Sequence, residues 1–271
     1  MLELCNVGFE YASNIPVFSD VSIKIGRGEF IALGGRNGCG KTTVTRLLMG
    51  LEQPREGEIL YNGNSLKGIE PAQRGRFIGY VFQQPDRQMF RGTVQEEVAY
   101  GPLQLGGTKH SVEKTVREAL AMTDLTALAE MYPPNLSRGQ KQRVAIASAL
   151  AMHTEYLVLD EPTSGQDGQE KKDLMELLTT LHQRGMTIIL VTHDMEVMAK
   201  YCERAIIIGY GTKAFDGTPE ELFTKREDLT ALGLTRPAAV TLSLAVPGLP
   251  YCKSMEDFET QLIARLGGEK Q

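Results

Sequence analysis

The sequence predicts an α/β fold around a mixed sheet, and three features predict it. Residues 30–33 form a short apolar run that leads into a glycine-rich loop and then into a helix from Lys41 to about Met49. Residues 156–159, 188–191 and 205–208 are continuous apolar runs, the pattern of strands buried on both faces of a parallel sheet. Segments of helical character, such as 170–184, separate those runs and supply the crossovers that parallel strands need.

In chain order, the first element is antiparallel. Leu2 and Leu4, then Val21, Ile23 and Ile25, alternate with polar neighbours, which predicts a sheet with one wet face. Residues from about 84 to 155 read as mostly helical, with Val112, Val116 and Leu120 on one helical face, so an inserted helical subdomain is expected. The main domain is placed at 1–215. Residues 216–271 are read as a C-terminal extension that begins at Gly217-Thr218-Pro219, is interrupted around Pro237 and Pro247, and ends in an amphipathic piece at 254–266. Its Leu232, Leu234, Leu242, Leu244 and Phe258 exceed what a solvated linker needs, so the extension is expected to be a dimerisation domain.

A chain of 271 residues suits one large domain with an appendage. Its 42% hydrophobic and 23% charged residues are those of an ordinary globular protein. A net charge of −5 without any run of Lys or Arg argues against a nucleic-acid partner, which needs a clustered positive field. Cys5, Cys39, Cys202 and Cys252 lie far apart and form no CxxC or Cys/His spacing, which fits free thiols in a reducing compartment. No stretch approaches the roughly 18 apolar residues that span a bilayer, and the N-terminus lacks the basic and apolar parts of a signal peptide. A cytoplasmic chain is expected, with any membrane role supplied by a partner.

The glycine-rich loop, Gly35-Arg36-Asn37-Gly38-Cys39-Gly40-Lys41-Thr42, fits the phosphate-binding pattern GxxxxGK[ST] and stands between a strand and a helix, as the mechanism requires. Its glycines let backbone N–H groups curl around a β-phosphate, and the helix after Gly40 adds positive dipole. Lys41 reaches the β- and γ-phosphates, and Thr42 offers a hydroxyl to Mg2+. The plain alternative is a glycine-rich turn. Asp160-Glu161 ends the apolar run at 156–159, the strand end where α/β sheets expose ligand sites. Asp160 is placed to hold Mg2+ and Glu161 to act as general base on the attacking water; alone, such a pair is more often a solvated turn. Leu136-Ser137-Arg138-Gly139-Gln140 precedes a helix to about Met152, with Ser137 at the N-cap, and in isolation is an ordinary capped helix.

The order of phosphate loop, Gln83, LSxGQ, Asp-Glu and His193 resembles that of the ATP-binding cassette (ABC) nucleotide-binding domains, over roughly residues 2 to 225. The resemblance implies a P-loop NTPase fold of ABC type, and ATPase activity with ATP and Mg2+. It implies catalytic roles for Glu161, Lys41, Gln83 as the Q-loop glutamine and His193 as the switch histidine. ATP contacts would come from the phosphate loop with Thr43 and from Tyr11, the aromatic that stacks on adenine. Asp167 of the D-loop would add to them, as would Ser137, Gly139 and Gln140 across a dimer interface; Thr42, Gln83 and Asp160 would hold Mg2+. Each has a bland alternative: Tyr11 as filler, Gln83 as a loop residue, His193 as the cap of the following helix. Arg138 replaces the commonest Gly, Cys39 stands where Ser is usual, and the D-loop reads Ser164-Gly165-Gln166-Asp167-Gly168, where Leu and Pro commonly fill the third and fifth places.

Residues 81–90 and 93–102, with the tail segment 232–237, are similar to the ATPases of energy-coupling factor (ECF) importers, which move vitamins or cobalt and nickel ions. That similarity implies a second ATPase subunit, identical or paralogous, a transmembrane coupling subunit and a substrate-binding membrane subunit. The expected place is peripheral, on the cytoplasmic face of the cell membrane. Soluble ABC ATPases of regulation or repair and phosphate-loop kinases are the alternatives. Cys39, at a helix N-terminus beside Lys41, is expected to have a lowered pKa if partly exposed.

Overall fold

The computed structural model describes residues 1–11 and 15–268. Strands β1 (Leu2–Tyr11) and β2 (Ile15–Ile25) pair antiparallel, with Leu2 opposite Ile25 and Leu4 opposite Ile23. Their alternation puts Leu2, Leu4, Val21, Ile23 and Ile25 on a buried face. Next come β3 (Phe30–Gly34) and α1 (Lys41–Met49), the strand, loop and helix that the sequence predicts. β4 (Glu56–Tyr61) and β5 (Asn64–Ser65) complete a four-stranded sheet in the order β2-β1-β4-β5.

The short helix α2 (Pro71–Arg74) follows, and its last residue is among the most buried side chains described. The Arg74 guanidinium donates to the carbonyls of Leu47 and Leu48 at 2.9 and 3.0 Å, of Leu66 at 2.7 Å and of Ile69 at 3.0 Å. It thereby closes the C-terminal end of α1, where carbonyls lack helical partners and attract positive charge.

β6 (Ile78–Val81) leads into the helical subdomain, built from α3 (Val94–Gln104), α4 (Lys109–Met122) and α5 (Arg138–Ala151). Thr93, Thr108 and Ser137 cap these helices, each accepting a backbone N–H three residues on. Val112, Val116 and Leu120 bury one face of α4. Then β7 (Tyr156–Asp160), α6 (Gly168–Gln183), β8 (Thr187–Val191), α7 (Met195–Tyr201), β9 (Arg204–Gly209) and β10 (Thr212–Gly217) complete the second sheet. Its order is β10-β9-β3-β8-β7-β6, parallel throughout except for β10.

The continuous apolar runs follow from that position. Leu157, Leu159, Ile188, Leu190 and Ile207 face a core shared with α5, α6 and α7, while Val158, Ile189, Val191, Ile206 and Ile208 face one shared with α1 and the first sheet. Each such side chain contributes about 1.5–3 kcal/mol by leaving water.

The remaining helices are α8 (Pro219–Lys225), α9 (Ala238–Ala245) and α10 (Met255–Gly268). Leu222, Phe223, Leu229, Leu232, Leu234 and Val240 join the main core, whereas Ala239, Cys252 and Phe258 form a small core of their own. Leu232, Leu234 and Phe258 are thus spent inside the chain, and of the five apolar residues singled out in the extension only Leu242 and Leu244 are exposed. Among the described residues no helix is long and apolar enough to cross a membrane.

Candidate functional site

Four parallel strands, β3, β6, β7 and β8, end at the same edge of the sheet, and each is followed by a segment carrying a candidate residue. Lys41 and Thr42 lie beyond β3, Gln83 beyond β6, Asp160 and Glu161 at the end of β7, and His193 beyond β8. Strand ends of this kind form the usual ligand crevice of α/β sheets.

In the phosphate loop, Gly40 takes φ +103, and a Cβ there would come within 2.7 Å of the Val17 side chain; at Gly35 one would meet the Ile208 carbonyl at 2.2 Å. Only glycine fits either place. Lys41 is 5% exposed. Its ammonium donates to the carbonyls of Gly35 and Arg36 at 2.9 and 3.0 Å, and it forms no ion pair among the described residues. The Thr42 hydroxyl donates to Asp160 Oδ1 at 3.3 Å. Asp160 is itself 6% exposed, and burial, its largest perturbation, pushes its carboxyl above the usual range.

Glu161 has a left-handed backbone, φ +47, an uncommon conformation for a non-glycine residue and one that recurs at functional sites. Its Oε2 accepts from Gln83 Nε2 at 3.1 Å, and its Oε1 lies 3.3 Å from His193 Nδ1. His193 does not cap α7; Asp194 does, accepting from Val197 N–H. The imidazole is left to the cleft.

The cleft has a volume of about 560 Å3 and is lined in part by Tyr11, Asn37, Lys41, Thr43, Glu161 and His193. Tyr11, 43% exposed, stands at its mouth with its hydroxyl 3.1 Å from Thr43 Oγ1. Among the described residues no group of three or more His, Cys, Asp or Glu could hold a metal alone. A divalent cation here would therefore need phosphate oxygens beside Thr42, Gln83 and Asp160, the usual manner of binding Mg2+.

Ser137, Gly139, Gln140 and Asp167 do not line this cleft. Ser137 and Gln140 form a reciprocal capping box at the start of α5, and Asp167 caps α6 through Gln169 and Glu170 N–H.

Cys39 departs from expectation. Burial pushes its thiol up and outweighs the lowering by Lys41, because the side chain packs into the core beneath the loop. Tyr80, which motif reading passed over, donates to Asp160 Oδ2 at 3.4 Å and lies 3.1 Å from Thr45 Oγ1. The one sign of it in the sequence is a phenol inside the apolar run 78–81, where a buried hydroxyl needs a partner.

A strand, a glycine loop that cradles anions, and a buried Lys and Asp at one sheet edge define a phosphate-loop nucleotide-binding protein. Residues 18–164 match the family described as ABC transporter. The chain belongs to that family.

The energy-coupling factor transporter ATP-binding protein EcfA of Methanocaldococcus jannaschii is 38% identical over 244 residues, 89% of this chain and 88% of that protein. The solved structure of cbiO1 from Clostridium perfringens, part of the ABC transporter complex cbiONQ, has a TM-score of 0.76 and 32% identity, covering 86% of this chain and 94% of that one. An ATP-binding cassette solved as a dimer in a post-hydrolysis state, bound to ADP and Pi, has a TM-score of 0.71 and 30% identity, covering 81% and 99%. The chain spans less than half the length of several curated relatives, putative ABC transporter ATP-binding proteins; the one from Methanosarcina acetivorans is covered to 43%. The likeness to ECF ATPases carried by the sequence thus recurs among its relatives.

Proposed function

We propose that this chain hydrolyses ATP with Mg2+ as one of two cassettes, and that the cycle drives solute uptake through membrane subunits. One observation carries the reading. The cleft is lined by a buried cation, Lys41, whose hydrogen-bond partners are carbonyls, and behind its Thr42 lies a buried carboxylate, Asp160, whose hydrogen-bond partners are hydroxyls. A buried charge without its counter-charge is costly, and a nucleotide triphosphate with Mg2+ supplies both counter-charges at once.

Under this reading Lys41 binds the β- and γ-phosphates, and Tyr11 stacks on the adenine at the cleft mouth. Thr42, Asp160 and Gln83 would hold Mg2+, which when bound neutralises charge on the phosphate oxygens. Glu161 accepts a proton from the attacking water at its carboxylate, held in place by Gln83 and His193.

Ser137, the Gly139 amide and Gln140 head a helix outside this cleft, so they suit a γ-phosphate presented by a partner, with Asp167 at the same interface. The dimeric cassette with ADP and Pi supports that arrangement. The partner is a second ATPase subunit, identical or paralogous. The segment after Gln83, with Phe90 and Tyr132 exposed, is assigned to the transmembrane coupling subunit, beside a substrate-binding membrane subunit. Under this reading the chain works at the cytoplasmic face of the membrane.

The test is Glu161→Gln. It should bind ATP as the wild type does while hydrolysing it about 100-fold or more slowly, the contribution usual for a general base. Near-normal turnover would remove Glu161 from that role.

A further inference from the structure

Two departures from the family pattern lie close together, Arg138 of the signature motif standing over Gly165 of the 164–168 loop. Arg138 is the first residue of α5, and its side chain leaves the signature motif in two directions. Its Nη2 donates to the carbonyl of Gln83 at 3.4 Å. Its Nη1 lies over Gly165, where an added Cβ would come within 2.6 Å of it. Beside it Lys141 pairs with Asp86 at 2.5 Å, and Gln166 Nε2 donates to Gln142 Oε1 at 2.7 Å. The head of α5 is therefore joined to the loop after β6 by two cations and to the loop after β7 by an amide pair, with the guanidinium packed over Gly165 of that second loop.

We propose that Arg138 is a positioning residue, a strap that ties the Gln83 loop and the 164–168 loop to the head of α5 within one chain. The signature motif and the two loops flanking Glu161 then move as one body. The inference rests on the ATPase reading of the cleft. Gln83 transmits the effect, since its backbone carbonyl meets Arg138 while its side chain holds Glu161. A planar guanidinium suits this task because its donors sit on separate nitrogens at fixed angles, so one side chain can span two loops. Gly at position 138 would keep the Lys141–Asp86 and Gln142–Gln166 links and lose the guanidinium between the two loops.

A double-mutant cycle of ATP hydrolysis on the full chain tests this, using wild type, Arg138→Ala, Gly165→Ala and both together. Arg138→Ala should lower kcat about fivefold with KM changed by less than about twofold, because Arg138 does not line the cleft. Gly165→Ala should lower kcat as well, its Cβ displacing the guanidinium. The strain of a side chain at φ +73 is the same in both backgrounds and cancels in the cycle. Where that variant does not fold, Gly165→Asn, which tolerates positive φ, takes its place.

The double variant should lose clearly less than the product of the two single losses. Strict multiplication of the single effects, or an unchanged kcat in Arg138→Ala, would overturn the strap. If Glu161→Gln is inactive while the cycle multiplies, the strap fails and the cleft reading stands. Wild-type turnover in Glu161→Gln would bring down both.

Discussion

Asp160 is buried with two hydroxyls as its hydrogen-bond partners. Burial raises its carboxyl pKa, so between the unfolded and folded values the native state binds the extra proton and stability falls as pH rises. At neutral pH the ionised form is a standing penalty. Asp160→Asn should therefore raise the melting temperature of the nucleotide-free protein by about 2–4 °C, the shift that about 1 kcal/mol produces in a chain of this size. It should also remove most of the extra stabilisation that Mg2+ gives in the presence of ATP. A lower melting temperature without nucleotide would contradict the assignment of strain to this carboxylate.

Cys39 gives a second prediction at this scale. With its thiol pushed above the ordinary range, maleimide should inactivate slowly at pH 7 and about tenfold faster for each pH unit up to pH 9, following the thiolate. Cys39→Ser should remain active and resistant. A rate that levels off below pH 8 would mean an activated thiol instead. The error in the sequence-based expectation is instructive. Lys41 and the helix N-terminus are neighbours in sequence, but the packing that desolvates Cys39 comes from residues distant along the chain. Lys41, Thr42, Asp160 and Glu161 were legible because each stands in a local pattern. Tyr80 was not, since its meaning depends on Asp160 arriving from another strand.

Among the elements, strands with a long apolar run or a clear alternation were legible, the edge strand β2 included, and short or half-exposed ones were not. β7, β8 and β9 announce themselves as apolar runs, whereas β4, half exposed, and the two-residue β5 carry no comparable pattern. The starts of α1 at Lys41 and of α5 at Arg138 follow from the glycine loop and the Ser137 cap that the sequence displays, whereas α6 begins at Gly168, two residues before the helical segment expected from 170.

Arg74 was invisible for a different reason. A buried guanidinium that serves four carbonyls has no sequence signature, because all its partners are backbone. Arg74→Met should cost about 3 kcal/mol in urea unfolding, since several carbonyls lose their donor in a place water does not reach. A change below about 0.5 kcal/mol would show that α1 needs no such closure. Gly50 belongs to the same device, for a Cβ there would stand 2.8 Å from Arg74 Nε.

For the whole molecule, the placement of residues 216–271 revises how dimerisation is to be tested. Leu222, Phe223, Leu229, Leu232 and Leu234 belong to the main core, so truncation at 216 would strip that core as well as any interface. The surface left for a partner comprises Leu242 and Leu244 on α9 with Ile263 and Leu266 on α10, all exposed. If the extension joins protomers, Leu244→Glu with Ile263→Glu should give a monomer in light scattering without nucleotide, with the melting temperature nearly unchanged. A dimer that survives both charges would place the contact elsewhere.

The central claim is that ATP sits on this chain's own phosphate loop and is closed over by the signature motif of another chain. Equilibrium binding of ATP to Lys41→Ala and Ser137→Ala, measured side by side on the isolated chain, tests it most directly. Lys41 lines the cleft and Ser137 does not, so Lys41→Ala should lose affinity at least about tenfold, the effect of about 1.4 kcal/mol, while Ser137→Ala binds as the wild type does. Equal loss of affinity in both variants would put Ser137 and Lys41 on the same nucleotide in one chain and contradict the account.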